Sequence, residues 1–138
     1  MILLDTNLIS ELMKTQPNVQ VVTWINQQDS DTLFISSITI AEITYGLQIL
    51  AAGQRQKLLE TRFEQFISQA FYERVVSFTA SSARIYGEIM GYRKTLGRPL
   101  SILEGQIAAI ALTHNMSVAT RNTKDFTECG LTLINPFT

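Results

Sequence analysis

The sequence predicts an α/β fold: a three-layer α/β/α sandwich built on a parallel sheet of about five strands. Short apolar runs alternate with stretches of helical periodicity, which is the pattern of successive strand–helix–strand units. The runs are apolar throughout rather than alternating, as expected when helices cover both faces of a sheet. The 138 residues contain no linker, repeat or low-complexity tract, so we expect a single domain over residues 1–138.

The first half of the chain contains two of the predicted strands, Ile2–Leu4 and Leu33–Ser36. Apolar residues at helical spacing follow each strand, and Pro17-Asn18 separates a first helix from a second. We expect the second helix to use Val19 as part of its apolar stripe. The predicted helices begin near Asn7 and after Asn18, and two more extend over Ile38 to Leu50 and Gln54 to Ala70.

The second half continues the alternation with three strands and two helices. The turn Gly97-Arg98-Pro99 ends the first of these helices, because neither glycine nor proline favours a helix interior. The predicted strands are Arg74–Phe78, Ser117–Thr120 and Leu131–Ile134, and the predicted helices are Thr79 to Leu96 and Ser101 to His114.

Composition excludes several classes of site. Eleven basic and 12 acidic residues give a net charge of −1, so a polyanion would have to be held locally or through metal ions. The single cysteine, Cys129, excludes an internal disulfide and a multi-cysteine zinc site. The single histidine, His114, falls at a predicted helix end, which argues against a Ser-His-Asp triad and a histidine-rich metal site.

The chain lacks the sequence features of membrane or exported proteins. No apolar run approaches the roughly 20 residues that a membrane span requires. The start, Met-Ile-Leu-Leu-Asp, has no basic region and reaches an acid at position 5, unlike a signal peptide. We therefore expect a cytoplasmic protein with no membrane partner.

Four acids follow strand ends or open helices. Asp5 comes directly after the first strand, Glu42 shortly after the second, Glu104 opens an apolar helix, and Asp125 follows the fourth strand. In an open parallel sheet, such loops collect at one edge, where ligands bind. Four carboxylates there would repel one another unless a cation joined them. The pattern predicts a site for a hard divalent ion, Mg²⁺ or Mn²⁺.

Each acid also has a structural interpretation that stays open. Thr39–Glu42 and Ser101–Glu104 fit the pattern in which an acid bonds back to the start of its helix. Asp5 could cap the first helix, although Asn7 could do so instead. Asp125 could be an ordinary loop acid. We favour the metal site because four separate structural roles would otherwise have to meet at one edge by coincidence.

Basic residues near the predicted acidic edge are candidates for contact with phosphates. Arg98 lies in a Gly-Arg-Pro loop ahead of the third acid, and Arg121 and Lys124 flank the fourth. Arg93 and Lys94, by contrast, are expected to lie on a solvated helix face.

Four motifs together resemble those of PIN-domain ribonucleases, most closely the VapC and FitB toxins of bacterial toxin–antitoxin pairs. They occur in the order and spacing of that family, and the resemblance extends from Met1 to Pro136, essentially the whole chain. The motifs are Met1-Ile-Leu-Leu-Asp5-Thr-Asn7, Ser37-x-x-x-Ala41-Glu42-Ile-x-x-Gly46, Gly105-Gln-Ile-Ala-Ala109 and Ala119-Thr-Arg-Asn122-x-x-Asp125-Phe126.

The resemblance implies a function and a set of site residues. It implies Mg²⁺- or Mn²⁺-dependent endonucleolytic cleavage of RNA, often structured RNA such as tRNA, and growth arrest. The metal ligands would be Asp5, Glu42 and Glu104, with Asn122 and Asp125 as alternatives for a fourth. Hydrogen bonds from Thr6, Asn7 and Thr120 would support the carboxylates.

The resemblance also implies partners. Family members usually form homodimers and are silenced by a small antitoxin, whose DNA-binding half represses the operon. The expected partners are therefore the RNA substrate, a second copy of the chain and the antitoxin, with a higher toxin–antitoxin assembly on operator DNA.

One departure from the family keeps a second functional interpretation open. The family usually has aspartate where this chain has Glu104, and glutamate extends the carboxylate by roughly 1.5 Å. The alternative is an attenuated PIN-like protein that acts mainly through antitoxin binding and operon autoregulation. A phospho-acceptor module is disfavoured, because the third strand ends in Ser77-Phe78-Thr79 without an acid.

Overall fold

Five parallel strands form one sheet in the computed structural model, which describes all 138 residues. The strand order is 3-2-1-4-5, so the chain moves outward from the first strand on one side and then returns to its other side. All four pairings are parallel. The strands are β1 Ile2–Leu4, β2 Leu33–Ser36, β3 Val75–Val76, β4 Ser117–Ala119 and β5 Leu133–Ile134.

Six α-helices cover the sheet, and none of them is both long and apolar enough to cross a lipid bilayer. Two 3₁₀ turns, Ser30–Thr32 and Thr123–Phe126, complete the regular structure. The predicted α/β/α fold class is confirmed. The helices are α1 Thr6–Leu12, α2 Val19–Gln27, α3 Ser37–Gln48, α4 Gln54–Ala70, α5 Ala80–Thr95 and α6 Ile102–Thr113.

The sheet separates two hydrophobic cores, because neighbouring strand residues point to opposite faces. Leu3 belongs to the core beneath α5 and α6, and Leu4 belongs to the core beneath α1 to α4. Both side chains are fully buried. The strands are apolar along their whole length because helices cover both faces of the sheet.

The sheet order creates a crevice between β1 and β4. The chain leaves β1 toward β2 on one side, whereas β4 pairs with β1 on the other side. In open α/β sheets, ligands bind at such a switch point, outside the carboxyl ends of the strands. Asp5 and Thr120 directly follow these two strands, so both residues lie at the mouth of the crevice.

The two edge strands and the start of α2 differ from the sequence prediction. The fifth strand is Leu133–Ile134 rather than Leu131–Ile134. The third strand is only Val75–Val76, because it lies at the sheet edge and pairs with β2 alone. Val19 was expected to face inward, but it is 77% exposed, and Val21 is the fully buried residue of α2. The buried stripe of α2 consists of Val21, Trp24 and Ile25, and Val19 lies about 200° around the helix from Val21.

Gly105 allows α5 and α6 to pack closely. A glycine inside a helix suggests that a ligand or another backbone segment approaches closely, but the neighbours of Gly105 are the side chains of Tyr86 and Met90. A Cβ atom at Gly105 would lie 2.5 Å from Met90 Sδ and 2.9 Å from Tyr86 Cε2. The space that a methyl group would need is therefore occupied by α5.

We expect Gly105→Ala to destabilise the protein by about 1 kcal/mol in urea unfolding. Overpacking costs about 1–3 kcal/mol, and the better helix propensity of alanine recovers at most ~1 kcal/mol of it. The control is Gly91→Ala in α5, where no atom lies within 4 Å of the new Cβ. Gly91→Ala should leave the free energy of unfolding unchanged or raise it. An equal rise in both variants would contradict the packing role of Gly105.

Candidate active site

A cavity of about 320 Å³ lies outside the carboxyl ends of β1, β2 and β4. It brings together three of the four acids singled out in the sequence and one of the two alternatives for the fourth ligand. No arginine, lysine or histidine lines it. The lining residues are Asp5, Thr6, Asn7, Ser10, Glu42, Ser101, Leu103, Glu104, Ile107 and Asn122.

Asp5 is the most buried acid of the cavity, with 6% of its surface exposed. Its Oδ1 accepts the backbone N–H of Thr6 at 2.8 Å, and its Oδ2 accepts the Thr120 hydroxyl at 2.7 Å and the Asn7 amide at 3.2 Å. Burial raises the pKa of Asp5 more than these hydrogen bonds lower it, and the charge of Asp125 adds to the rise.

Asp5 is also the N-cap of α1, so the suggestion that Asn7 caps this helix is wrong. Asn7 instead joins the two sides of the crevice. Its amide donates to Asp5 and, at 3.3 Å, to Thr120 Oγ1, while its Oδ1 accepts the backbone N–H of Arg121 at 3.2 Å. The capping role of Asp5 uses Oδ1, and Oδ2 remains directed at the hydroxyl and amide donors.

Glu42 is held from the neighbouring helix rather than by its own. Ser36 caps α3 by accepting the backbone N–H of Thr39, so the predicted capping role of the Thr39–Glu42 pair is wrong. Glu42 Oε1 accepts the hydroxyl of Thr6 at 2.8 Å. Burial raises the pKa of this half-buried carboxyl, and the charge of Asp5 raises it further.

Glu104 lies in the first turn of α6 and bonds to the cap of that helix. The Ser101 hydroxyl accepts the backbone N–H of Glu104 at 3.2 Å and donates to Glu104 Oε1 at 2.8 Å. The predicted Ser101–Glu104 pairing is therefore present, although the serine hydroxyl and not its backbone N–H holds the carboxylate. Burial raises the pKa of Glu104, and the adjacent Asp125 raises it further.

Asn122 and Asp125 occupy different positions relative to the cavity. Asn122 lines it, and its backbone N–H donates to Thr120 Oγ1 at 3.0 Å. Asp125 is exposed in the 3₁₀ turn and lies outside the lining, yet its charge acts on both Asp5 and Glu104. Both alternatives for a fourth ligand stay predictions.

The donor set fits a hard divalent cation. Three carboxyl groups with raised pKa values share one cavity without a cationic side chain, so a bound cation would relieve both their desolvation and their repulsion. Carboxylate and amide oxygens are the ligands that Mg²⁺ and Mn²⁺ prefer. No three of the acids are close enough to hold one ion together as the side chains stand, and Mg²⁺ commonly keeps several water ligands beside one or two carboxylates.

Two of the three candidate phosphate contacts already have acidic partners. Arg98 pairs with Glu128. Arg121 pairs with Glu11 at 3.3 Å, and its guanidinium lies 4.0 Å from the centroid of the Phe137 ring. Lys124 is exposed and has no ion-pair partner. Their contact with RNA stays a prediction.

Arg93 was expected on a solvated helix face, and this prediction is wrong. The residue is only 4% exposed and donates to backbone carbonyls of two loops. A signal for its burial was present in the sequence, because Arg93 lies four residues after Ile89 and therefore on the same helix face. Ile89 belongs to the core beneath α5 and α6.

Glu11 is a buried acid that sequence reasoning missed. It is 5% exposed and accepts Lys14 Nζ at 3.0 Å, the Asn18 backbone N–H at 3.0 Å and Arg121 Nη2 at 3.3 Å. The hydrogen bond from Lys14 is the largest cause that lowers the pKa of Glu11, followed by that from Asn18. Glu11 thereby joins α1, the start of α2 and the segment after β4.

We expect Glu11→Gln to lower the stability of the protein at neutral pH and to matter less in acid. A carboxyl whose pKa is lower in the folded state stabilises the fold above its ordinary pKa of 4.5, and this stabilisation is lost as the pH falls through the folded-state value. The free energy of unfolding is measured in urea at neutral pH and below pH ~4. The difference between variant and wild type should be smaller at the lower pH. The control is Glu64→Gln, at an exposed position. A difference in unfolding free energy that does not change with pH, or that equals the difference caused by the control, would contradict this role of Glu11.

Comparison with known proteins assigns the fold to a family. The family model described as "PIN domain" matches residues 2–130. A VapC ribonuclease of Sinorhizobium fredii is 42% identical over 137 residues, which cover 99% of this chain and 98% of that protein. The toxin FitB of Neisseria gonorrhoeae is 39% identical over 137 residues, covering 99% of each chain.

A solved structure shows the same arrangement of the backbone. A chain in the structure of FitAB bound to a DNA fragment superposes with a TM-score of 0.93 at 40% identity, covering 100% of this chain and 96% of that chain. The similarity therefore includes the whole sheet and the carboxyl edge that carries the acids.

Proposed function

The chain belongs to the PIN-domain family, and from this premise we propose that it is the toxin of a toxin–antitoxin pair and a Mg²⁺- or Mn²⁺-dependent endoribonuclease. The observation that carries the proposal is the cavity that Asp5, Glu42 and Glu104 share without a cationic side chain. Divalent ions bound there would activate water and stabilise the leaving oxygen of a phosphodiester.

The side chains of the cavity have distinct roles in this proposal. Asp5, Glu42 and Glu104 hold the metal, together with Asn122 or Asp125. Hydroxyl groups keep two of the carboxylates in place, namely Thr120 for Asp5 and Thr6 for Glu42. With no histidine or lysine in the lining, carboxylates are the strongest proton acceptors available to an attacking water.

The family and its structures support a set of partners. We propose that a small antitoxin silences the enzyme and that the pair assembles on operator DNA through the antitoxin, since the similar FitAB complex was solved bound to DNA. We further propose an RNA substrate such as tRNA, a homodimeric toxin and a cytoplasmic location, in which cleavage arrests growth.

The second candidate function is an attenuated protein that works through antitoxin binding and autoregulation. Glu104 favours it, because the Ser101 hydroxyl holds its carboxylate back toward the start of α6. A longer side chain held in this way would occupy a different position from the aspartate usual in the family.

The test uses purified full-length protein free of antitoxin. It is incubated with total RNA in Mg²⁺, in Mn²⁺ and in excess EDTA, and new 5′ ends are mapped. We expect discrete cleavage sites with either ion and none with EDTA, and the same sites in cells whose growth stops after brief induction. Cleavage that persists in EDTA would refute the metal-dependent mechanism, whereas no cleavage with either ion, alongside retained antitoxin binding, would favour the attenuated protein.

A further inference from the structure

We propose that Arg93 is a positioning residue for the candidate active site, fixing the segment that carries Asp125 relative to the turn that leads into α6. This inference rests on the proposed function, because it assigns Arg93 a role in holding the metal site together. Arg93 itself lies outside the cavity lining.

The guanidinium of Arg93 connects two loops. Its Nε donates to the carbonyl of Arg98 at 2.7 Å, in the turn that precedes α6. Its Nη1 donates to the carbonyls of Asp125 and Thr127, each at 2.8 Å, and contacts Cys129 Sγ at 3.4 Å. One side chain therefore sets the distance between the start of α6 and the segment 125–129.

The charge of Arg93 makes this connection specific. No carboxylate lies within ion-pair distance of this buried guanidinium, so its burial depends on the backbone carbonyls that solvate it. The planar fork of arginine presents donors in fixed directions, whereas a lysine has one flexible ammonium group and could not satisfy both loops in the same geometry. A change at Arg93 should therefore shift one loop relative to the other.

One of these loops carries Asp125, and the other leads into the helix that carries Glu104. Asp125 contributes the carbonyl that Arg93 binds, and its carboxylate lies close enough to Glu104 to raise the pKa of that group. Glu104 follows the Arg98 turn through the cap residue Ser101. Arg93 thus acts on the backbone from which these two neighbouring carboxylates project.

Arg74 offers a matched control on the other side of the molecule. It too donates to three backbone carbonyls, those of Ser30, Leu33 and Ala70. These carbonyls belong to the 3₁₀ turn before β2, to the first residue of β2 and to the last residue of α4, and none of the three residues lines the acidic cavity. Substitution of either arginine removes a guanidinium that hydrogen-bonds to separate backbone segments. Only Arg93 bonds to segments next to the acidic cavity.

The experiment compares Arg93→Met with Arg74→Met in the full-length, antitoxin-free protein. Thermal unfolding should show a similar loss of stability for both variants. Mn²⁺ binding by isothermal titration should weaken about 10–100-fold in Arg93→Met only, as is typical when a group that orients a metal ligand is removed. Arg93→Lys should fall between wild type and Arg93→Met, and it decides the question if Arg93→Met fails to fold.

A double-mutant cycle identifies the residue through which Arg93 acts. In an Asp125→Asn background, Arg93→Met should cost less Mn²⁺ affinity than it does in the wild type, because one of the two carboxylates that Arg93 positions is gone. Equal Mn²⁺ affinities for the Arg93 and Arg74 variants, or full additivity in the cycle, would overturn the inference and leave the proposed nuclease intact. Wild-type protein that binds no Mn²⁺ would overturn both.

Discussion

Asp5→Asn is expected to reduce the rate of RNA cleavage about a thousandfold or more while leaving the fold intact. Metal ligation in such sites contributes several kcal/mol to the stabilisation of the transition state, and each ~1.4 kcal/mol corresponds to a factor of ten in rate. Asparagine keeps an oxygen for the Thr6 backbone N–H but replaces the charged Oδ2, which lies between Thr120 and Asn7. The measurement is single-turnover cleavage of a mapped RNA site in Mg²⁺.

The control for Asp5→Asn is Asp29→Asn. Asp29 also accepts a backbone N–H at the start of a helical turn, at 3.1 Å from Asp31, but it is exposed and outside the cavity. The Asp29→Asn variant should retain wild-type activity. This result would show that the effect of Asp5→Asn comes from the loss of a site carboxylate and not from the loss of a helix-capping aspartate. Activity of Asp5→Asn within tenfold of wild type would remove Asp5 from the catalytic set.

The sequence was sufficient to predict the part of the site that depends on topology. Asp5 follows β1 and Glu42 follows β2 within α3, and parallel strands place these carboxyl ends at one edge whatever the details of packing. The same reasoning predicted α4 at its observed bounds, because its apolar residues recur at helical spacing between polar ones. Local pattern and topology were enough for both.

Partners that are distant in the chain could not be predicted. Two caps compete at the start of α3, and Ser36 is used, which leaves Glu42 free to accept the hydroxyl of Thr6. Glu11 and Arg121 likewise meet across 110 positions of the chain. Such contacts depend on which side chain reaches a given loop after the layers have packed, and no local pattern encodes them.

Glu104→Asp is expected to raise the cleavage rate by one to two orders of magnitude, because misplacement of a catalytic group by about 1 Å can cost on the order of a hundredfold. The Glu104 carboxylate now bonds to the Ser101 hydroxyl at 2.8 Å and lies beside Asp125. Aspartate, the residue usual in the family, is shorter by roughly 1.5 Å. It would project from the same turn of α6 with less reach toward Ser101.

The informative comparison sets Glu104→Asp and Glu104→Gln beside the wild type, with cleavage rate and Mn²⁺ affinity measured for each. Glu104→Gln keeps the length and the bond to Ser101 but loses the charge, so both quantities should fall if the carboxylate ligates metal. A gain with aspartate and a loss with glutamine would mean that this chain carries an active but attenuated nuclease site. A loss with both substitutions would mean instead that the cavity is built around the longer carboxylate, and Glu104 would then no longer argue for attenuation.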